Sequence, residues 1–206
     1  MLLSVVVGSG IMGERLAGGN MALALLANTL ATGAALIVLI HIFNQVSGAH
    51  FNPAVTIVAL LRGELGPSMA ALYMTAQFIG AIVGVWIAHT MFAEPLIQIS
   101  TKLRDGPSQG FSEFIATFGL IGTILGTQRS RPAFTSVAVG LYISAAYWFT
   151  ASTSFANPAV TLARSLTDSF AGIAPVSTPL FIAAQLAGTI AAVAFFPWLL
   201  RQEHPQ

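Results

Sequence analysis

The sequence predicts an all-α membrane protein built from two related halves that are inverted relative to each other. Hydrophobic residues make up 55% of the 206 residues and charged residues only 7%, whereas soluble domains carry about 25% charged residues. The tripeptide Asn-Pro-Ala occurs twice, at 52–54 and 157–159, each time followed by Val-Thr. These observations together indicate membrane-spanning helices arranged as a duplicated unit.

Five stretches are long and apolar enough to cross a bilayer, which requires about 20 mostly apolar residues. They are Met21 to Phe43, Met69 to Phe92, Phe111 to Thr127, Ala133 to Thr150 and Thr178 to Leu200. The apolar run from Met1 to Met12 is too short to cross, and it lacks the basic segment and cleavage pattern of a signal peptide. We expect it to be the far half of a first span that is shortened at its N-terminus.

A second repeated pattern supports the duplication. Ala-Gln-x-x-Gly occurs at 76–80 and again at 184–188, at nearly the same interval as the two Asn-Pro-Ala boxes. We therefore predict a single domain over 1–206, with repeat one at 1–100 and repeat two at 108–206. Each repeat contains three spans, and because three is an odd number the second copy has the opposite orientation in the membrane.

Each Asn-Pro-Ala box is predicted to start a short helix. Asparagine is a favourable N-cap, and proline suits the first helical turn because its missing N–H is not needed there. The following segments, Pro53 to Leu61 and Pro158 to Leu166, would extend only about 14 Å and end near the middle of the membrane. Irregular backbone at that depth is tolerated where it lines a wet cavity. The pattern therefore predicts a pore.

The composition excludes several classes of function. A net charge of +1 provides no electrostatic footprint for nucleic acid, and the chain has no cysteine and only four scattered histidines. We predict no enzyme activity, no cofactor and no metal site, because no nucleophile, base and orienting group are grouped within the spans. An ion-coupled secondary transporter is an alternative, since such proteins also use inverted repeats. Glu113 is the only acidic residue within a span.

The paired boxes, the context SGAHFNPAVT, Glu113 in the fourth span and the Ala-Gln-x-x-Gly repeats together resemble the aquaporin and glycerol-facilitator family of major intrinsic proteins. The resemblance implies a six-span barrel with two re-entrant half-helices and both termini in the cytoplasm. It also implies a homotetramer in the lipid bilayer, here a bacterial inner (plasma) membrane, in which each subunit has its own pore. Transport through such a pore is passive and limited to small neutral solutes.

The centre of the pore is predicted at the two boxes. Their residues are Asn52, Pro53, Ala54, Asn157, Pro158 and Ala159. Two half-helices that meet at their N-termini place about +0.5 charge each at that point, which repels cations. The asparagine side chains can cap their helices and still offer amide N–H donors to a passing oxygen atom. This orientation would interrupt proton hopping along a chain of water molecules.

The family's selectivity filter, transferred by counting from the boxes, falls on Thr32, Ala145, Ser154 and Val160. Position 160 carries arginine in the usual family pattern. All four residues here are uncharged and of small or medium size, so we expect a wider opening than in a water-selective aquaporin, which is the alternative. Valine at this position resembles a bacterial subgroup associated with arsenite. Arsenous acid and related metalloid hydroxides, glycerol-like polyols and water are therefore the expected solutes.

Three further residues are predicted to support the pore or line its vestibule. The resemblance implies that Glu113 accepts backbone N–H bonds from the second Asn-Pro-Ala loop. His50 either lines the pore or bonds the loop backbone. Arg164 follows Val160 by one helical turn, and it is either a displaced charge at the mouth or, as we favour, an arginine near the interface that reaches water or bonds a loop.

Overall fold

The computed structural model describes residues 1–201, and that part of the chain is helical with no β-strand. Its α-helices are α1 (Leu2–Leu16), α2 (Met21–Ser47), α3 (Pro53–Leu61), α4 (Pro67–Met91), α5 (Pro107–Ser130), α6 (Thr135–Phe149), α7 (Pro158–Arg164) and α8 (Thr178–Leu199). Short 3-10 turns at Pro132–Phe134 and Pro175–Ser177 precede α6 and α8. The predicted all-α membrane fold is confirmed. The end of predicted repeat two, 202–206, lies outside the described residues.

The five predicted spans correspond to α2, α4, α5, α6 and α8, all of which are long and apolar enough to cross a membrane when the 3-10 turns are included. Helix α1 contains 15 residues and extends about 22 Å, which is less than the hydrocarbon core of about 30 Å. Half-helix α3 has the predicted bounds. Half-helix α7 ends before the predicted Leu166, because the Leu166 N–H donates to Ala163 O three residues back and tightens the last turn.

The two halves pack in the same way. Helix α1 contacts α2 and α4, and its counterpart α5 contacts α6 and α8. Half-helix α3 contacts α4 and α8, while α7 contacts α8 and α4. Every one of these contacts in the first half has a counterpart in the second, as in other inverted repeats with broken helices. The repeat bounds at 1–100 and 108–206 stay predictions.

Glycines allow the spans to approach closely. Helices α2 and α6 cross where a Cβ atom on Gly140 would lie 2.7 Å from the carbonyl oxygen of Gly33. Helices α5 and α8 approach where a Cβ atom on Gly188 would lie 2.5 Å from the carbonyl oxygen of Phe114. Small residues suit such crossings because helix association within lipid depends on close packing. These contacts hold the walls around the centre of the protein.

We predict that Gly140→Ala destabilises the protein, because the new methyl group would push α2 away from α6. Overpacking of this kind typically costs about 1–3 kcal/mol, which corresponds to a fall in Tm of roughly 3–10 °C. Thermal unfolding of the detergent-solubilised protein, followed by tryptophan fluorescence, measures the shift. Gly126→Ala is the matched control, because a Cβ atom there meets nothing within 4 Å. Equal Tm values for the two variants would contradict the predicted crossing.

Candidate functional site

A cavity of about 120 Å³ lies between the two halves and is lined by both Asn-Pro-Ala loops. Helices α2 and α6 each contribute one residue every four positions, which keeps the lining residues on one helix face. The lining residues are Thr32, Leu36, Ile40 and Asn44 on α2 and Thr135, Val139, Ile143 and Tyr147 on α6. The Tyr147 hydroxyl donates to Thr32 Oγ1 over 3.4 Å. The N-terminal end of the lining face of α2 therefore lies beside the C-terminal end of the lining face of α6.

The two box asparagines cap the half-helices. Asn52 Oδ1 accepts a hydrogen bond from the Ala54 N–H at 2.9 Å. Asn157 Oδ1 accepts from the N–H groups of Ala159 at 3.0 Å and Val160 at 3.2 Å. Both asparagines line the cavity. The positive ends of α3 and α7 are therefore directed at the same point in the cavity wall.

The same asparagines connect the two loops to each other. Asn52 Nδ2 donates to the Ala156 carbonyl oxygen at 2.7 Å, and Asn157 Nδ2 donates to the Phe51 carbonyl oxygen at 2.9 Å. A side-chain amide carries two N–H groups. Each asparagine thus uses one N–H to hold the opposite loop and retains one for a molecule in the cavity.

The loops before the boxes adopt left-handed backbone conformations that are rare for residues with a side chain. The φ angles are +48° at Ala49, +49° at Phe51, +49° at Ser154 and +48° at Ala156. Ala49 and Phe51 before the first box correspond to Ser154 and Ala156 before the second. Each such residue costs on the order of 1–3 kcal/mol and persists where the surrounding structure fixes it. The bonds between the loops and to Glu113 supply that constraint.

Glu113 holds the second loop from inside α5. Its side chain is completely buried, and its carboxylate accepts the N–H groups of Phe155 and Ala156, both at 2.8 Å. It also accepts Gln185 Nε2 at 2.6 Å. Bonds to an ionised acceptor are stronger than neutral ones. The Glu113 carboxylate therefore positions the second Asn-Pro-Ala loop.

The repeated glutamines connect the half-helices to their neighbouring spans. Gln77 Nε2 donates to Thr56 Oγ1 at 2.9 Å, and Gln185 Nε2 donates to Thr161 Oγ1 at 2.8 Å. The two threonines are those that follow the boxes as Val-Thr. Sequence reasoning used the glutamine repeat only to support duplication and missed this role. The nearly equal intervals at which the two motifs repeat were the available signal.

His50 lines the cavity and is anchored by a side chain of α3. Its Nδ1 atom lies 3.1 Å from Thr56 Oγ1, and its ring lies 5.3 Å from that of Tyr73. Of the two alternatives for His50, the structure places it in the cavity lining. Its described hydrogen bond goes to a threonine hydroxyl and not to the loop backbone.

Of the four predicted filter residues, Thr32, Ser154 and Val160 line the cavity. Ala145 does not, because it is exposed on the outer face of α6. Tyr147 lies on the cavity face of this helix, and two residues at about 100° each separate Ala145 from that face by about 200°. The expectation that Ala145 lines the pore was wrong, and Tyr147 lines the cavity beside Thr32 instead. The four-residue spacing along α6 was the signal that counting from the box missed.

Arg164 lies in the cavity wall close to Val160. It is only 2% exposed, its Cζ atom lies 3.5 Å from the centroid of the Phe155 ring, and its Nε donates to the Ala171 carbonyl oxygen. The bond to Ala171 matches the loop-bonded alternative. The expectation that the side chain reaches water at the interface was wrong. Its place in the cavity wall leaves the displaced-charge alternative open.

The fold and the cavity define a membrane channel with two re-entrant half-helices. The family model described as Major intrinsic protein matches residues 1–150. The chain belongs to the major intrinsic protein family, whose members are membrane channels and not enzymes. Among residues 1–201 there is also no group of three or more His, Cys, Asp or Glu side chains that could hold a metal ion.

Relatives support this assignment, and a solved structure shares the fold. The aquaglyceroporin AqpS of Rhizobium meliloti (strain 1021) is 52% identical over 205 residues, which cover 100% of this chain and 88% of the relative. The glycerol uptake facilitator protein of Streptococcus pneumoniae is 34% identical over 129 residues, covering 56% of this chain and 55% of that protein. The X-ray structure of the aquaglyceroporin from Plasmodium falciparum matches with a TM-score of 0.65 at 21% identity, over 95% of this chain and 90% of that chain.

We predict that Glu113→Gln strongly destabilises the second loop. Glutamine has a similar size but offers one neutral oxygen where the carboxylate accepts three bonds. Leaving buried donors without a charged acceptor costs on the order of 2–4 kcal/mol, and the expected fall in Tm is roughly 5–15 °C.

Glu64→Gln is the matched control for this variant. It removes the same charge from an exposed pair with Arg62, and surface pairs contribute only about 0–1 kcal/mol. Thermal unfolding in detergent compares the two proteins. A Tm of the Glu113 variant within the range of this control would show that the carboxylate does not hold the loop.

Proposed function

We propose that this protein is a passive channel for small uncharged solutes, namely water, glycerol-like polyols, and arsenous acid with related metalloid hydroxides. The observation that carries the proposal is the meeting of two half-helix N-termini at one cavity, with a free amide N–H on Asn52 and Asn157. Positive helix ends oppose the entry of cations. The amide donors favour solutes that present hydroxyl or water oxygens.

The cavity lining suits polyols because it is apolar on one side and polar on the other. Helices α2 and α6 contribute aliphatic side chains, while the boxes contribute amides and the filter position contributes hydroxyl groups. The aliphatic residues are Leu36, Ile40, Val139 and Ile143. A polyol has C–H groups along one edge and hydroxyl groups along the other, so both walls are matched. The name of the relative AqpS, an aquaglyceroporin, supports the same solute class.

Val160 supports solutes larger than water. Valine fills less space at this position than the arginine of the usual family pattern, while Tyr147 and Arg164 form the adjoining wall. Arsenous acid is uncharged near neutral pH, about as large as glycerol, and carries three hydroxyl groups. The asparagine amide donors and the space beside Val160 therefore suit both glycerol and arsenous acid.

The ion-coupled transporter is disfavoured by the position of Glu113. Its carboxylate accepts three hydrogen bonds inside the protein, and it is completely buried. A coupling site would require an acidic group that can exchange its partners for an ion. Glu113 is instead occupied in holding the loop.

We infer the location and assembly of the protein from its membership of the major intrinsic protein family. The apolar spans make it an integral membrane protein, and we place it in a bacterial inner membrane because AqpS is a bacterial relative. We propose a homotetramer with one pore in each subunit and both termini in the cytoplasm. Small neutral solutes and the lipid bilayer are its partners, and nucleic acid is not.

We predict that Val160→Arg narrows the pore to water. Stopped-flow measurements on proteoliposomes should show that the wild type passes water, glycerol and arsenous acid. The variant should keep water permeability within about threefold and lose at least about tenfold in the larger solutes, because the long cationic side chain fills the opening.

Val176→Arg is the matched control, since Val176 is 75% exposed and does not line the cavity. It should leave all three permeabilities unchanged. A wild type that passes only water would contradict the wide filter, and the water-selective alternative would then stand.

A further inference from the structure

We infer that Arg164 is a specificity-determining residue, which places a positive charge in the cavity wall and separates neutral solutes from cations while Val160 sets the width. This inference rests on the proposed function. We call the region around Thr32, Tyr147, Val160 and Arg164 the filter end of the cavity. Arg164 is the cationic member of that region.

The guanidinium group is fixed on the protein side by contacts that include no salt bridge among residues 1–201. The centroid of the Phe155 ring lies 3.5 Å from Arg164 Cζ, in the range of a cation–π contact. The Nε of Arg164 donates a hydrogen bond to the Ala171 carbonyl oxygen. Among residues 1–201 the salt bridges are Arg15–Glu94 and Arg62–Glu64, so no described carboxylate pairs with Arg164. Glu113 is close enough to attract the guanidinium group, but its carboxylate accepts three other hydrogen bonds. Arg164 therefore keeps a local positive field toward the cavity.

A second arginine strengthens this field. Arg104 Cζ lies 5.1 Å from the centroid of the same Phe155 ring, and its Nε donates to the Gly172 carbonyl oxygen at 2.9 Å. Arg104 also donates to the Ser152 carbonyl oxygen at 3.2 Å. Carbonyl oxygens orient both guanidinium groups without neutralising them. The Phe155 ring thus contacts two positive charges beside the cavity.

The remaining donors of Arg164 are available to a solute. A guanidinium group has five N–H donors. Nε donates to the Ala171 carbonyl oxygen, and the Tyr147 hydroxyl is a further side-chain partner. Neither terminal nitrogen is among the completely buried atoms that lack a partner, and Arg164 lines the cavity. These N–H groups therefore reach the cavity. They can donate to the oxygen atoms of a neutral solute, whereas they repel a cation.

Hydroxyl groups at the filter end complete the solute-binding arrangement. Ser154 is 2% exposed and lines the cavity, and its hydroxyl has no hydrogen-bond partner among the described residues. The Thr32 and Tyr147 hydroxyl groups, which bond each other, provide donors and acceptors at the filter end, whereas the Ser154 hydroxyl oxygen is fully buried. A neutral solute that carries both hydrogen-bond donors and acceptors binds there transiently, whereas the charge on Arg164 excludes a cation of equal size.

Urea and guanidinium test this inference, because they have nearly the same size and shape and differ by one charge. Proteoliposome influx of both should give a high ratio of urea to guanidinium permeability in the wild type. Arg164→Gln should lower that ratio at least about tenfold by admitting guanidinium. Arg164→Lys, which keeps the charge, should hold the ratio within about threefold. Arg131→Gln is the remote control, since Arg131 is exposed at the end of α5.

An unchanged ratio in a folded Arg164→Gln protein that still passes urea would overturn the inference. If that variant does not fold, Ser154→Asp and Ser154→Asn replace it. Both residues tolerate the left-handed backbone at Ser154, and only aspartate offsets the charge of Arg164. The ratio should fall in the aspartate variant alone, and equal ratios would overturn the inference. A wild type that passes no glycerol would instead contradict the proposed function, and one that passes glycerol but not urea would overturn the inference.

Discussion

The crossed pair of hydrogen bonds between the two Asn-Pro-Ala loops is the constraint on which the rest of the structure depends. Asn52 holds the Ala156 carbonyl and Asn157 holds the Phe51 carbonyl. These bonds bring two half-helix N-termini together inside the membrane, where each backbone polar group needs a partner. One side-chain amide thereby performs three tasks, since it caps a helix, connects the loops and offers a donor to the cavity.

The surrounding helices serve to keep this junction in place. Glu113 fixes the second loop in its left-handed conformation, and Gln77 and Gln185 hold the half-helices through the threonines that follow the boxes. The close glycine crossing of α2 and α6 brings their lining faces together across the cavity. Rigid positioning of this kind favours a fixed passage over an alternating one. The charge on Arg164 then lies in a wall that the packing has already defined.

The sequence was sufficient for the features that depend on local chemistry. The bounds of α3 followed from its asparagine cap and proline, and the fold class followed from apolar length and the repeated boxes. The filter was only partly predictable, because counting from a box carries no information on helix phase, so it selected Ala145 on the outer face of α6 where Tyr147 faces the cavity. The burial of Arg164 depends on a ring and a carbonyl supplied by other segments, and no local pattern encodes that contact.

We propose that transport through this junction is passive. The most direct test measures the initial rate of glycerol entry into proteoliposomes at one fixed glycerol gradient, with and without an imposed proton or sodium gradient. A channel gives the same rate in every case, and internal glycerol stops at the external concentration. Accumulation above the external concentration, driven by either ion gradient, would contradict the account and establish a coupled transporter.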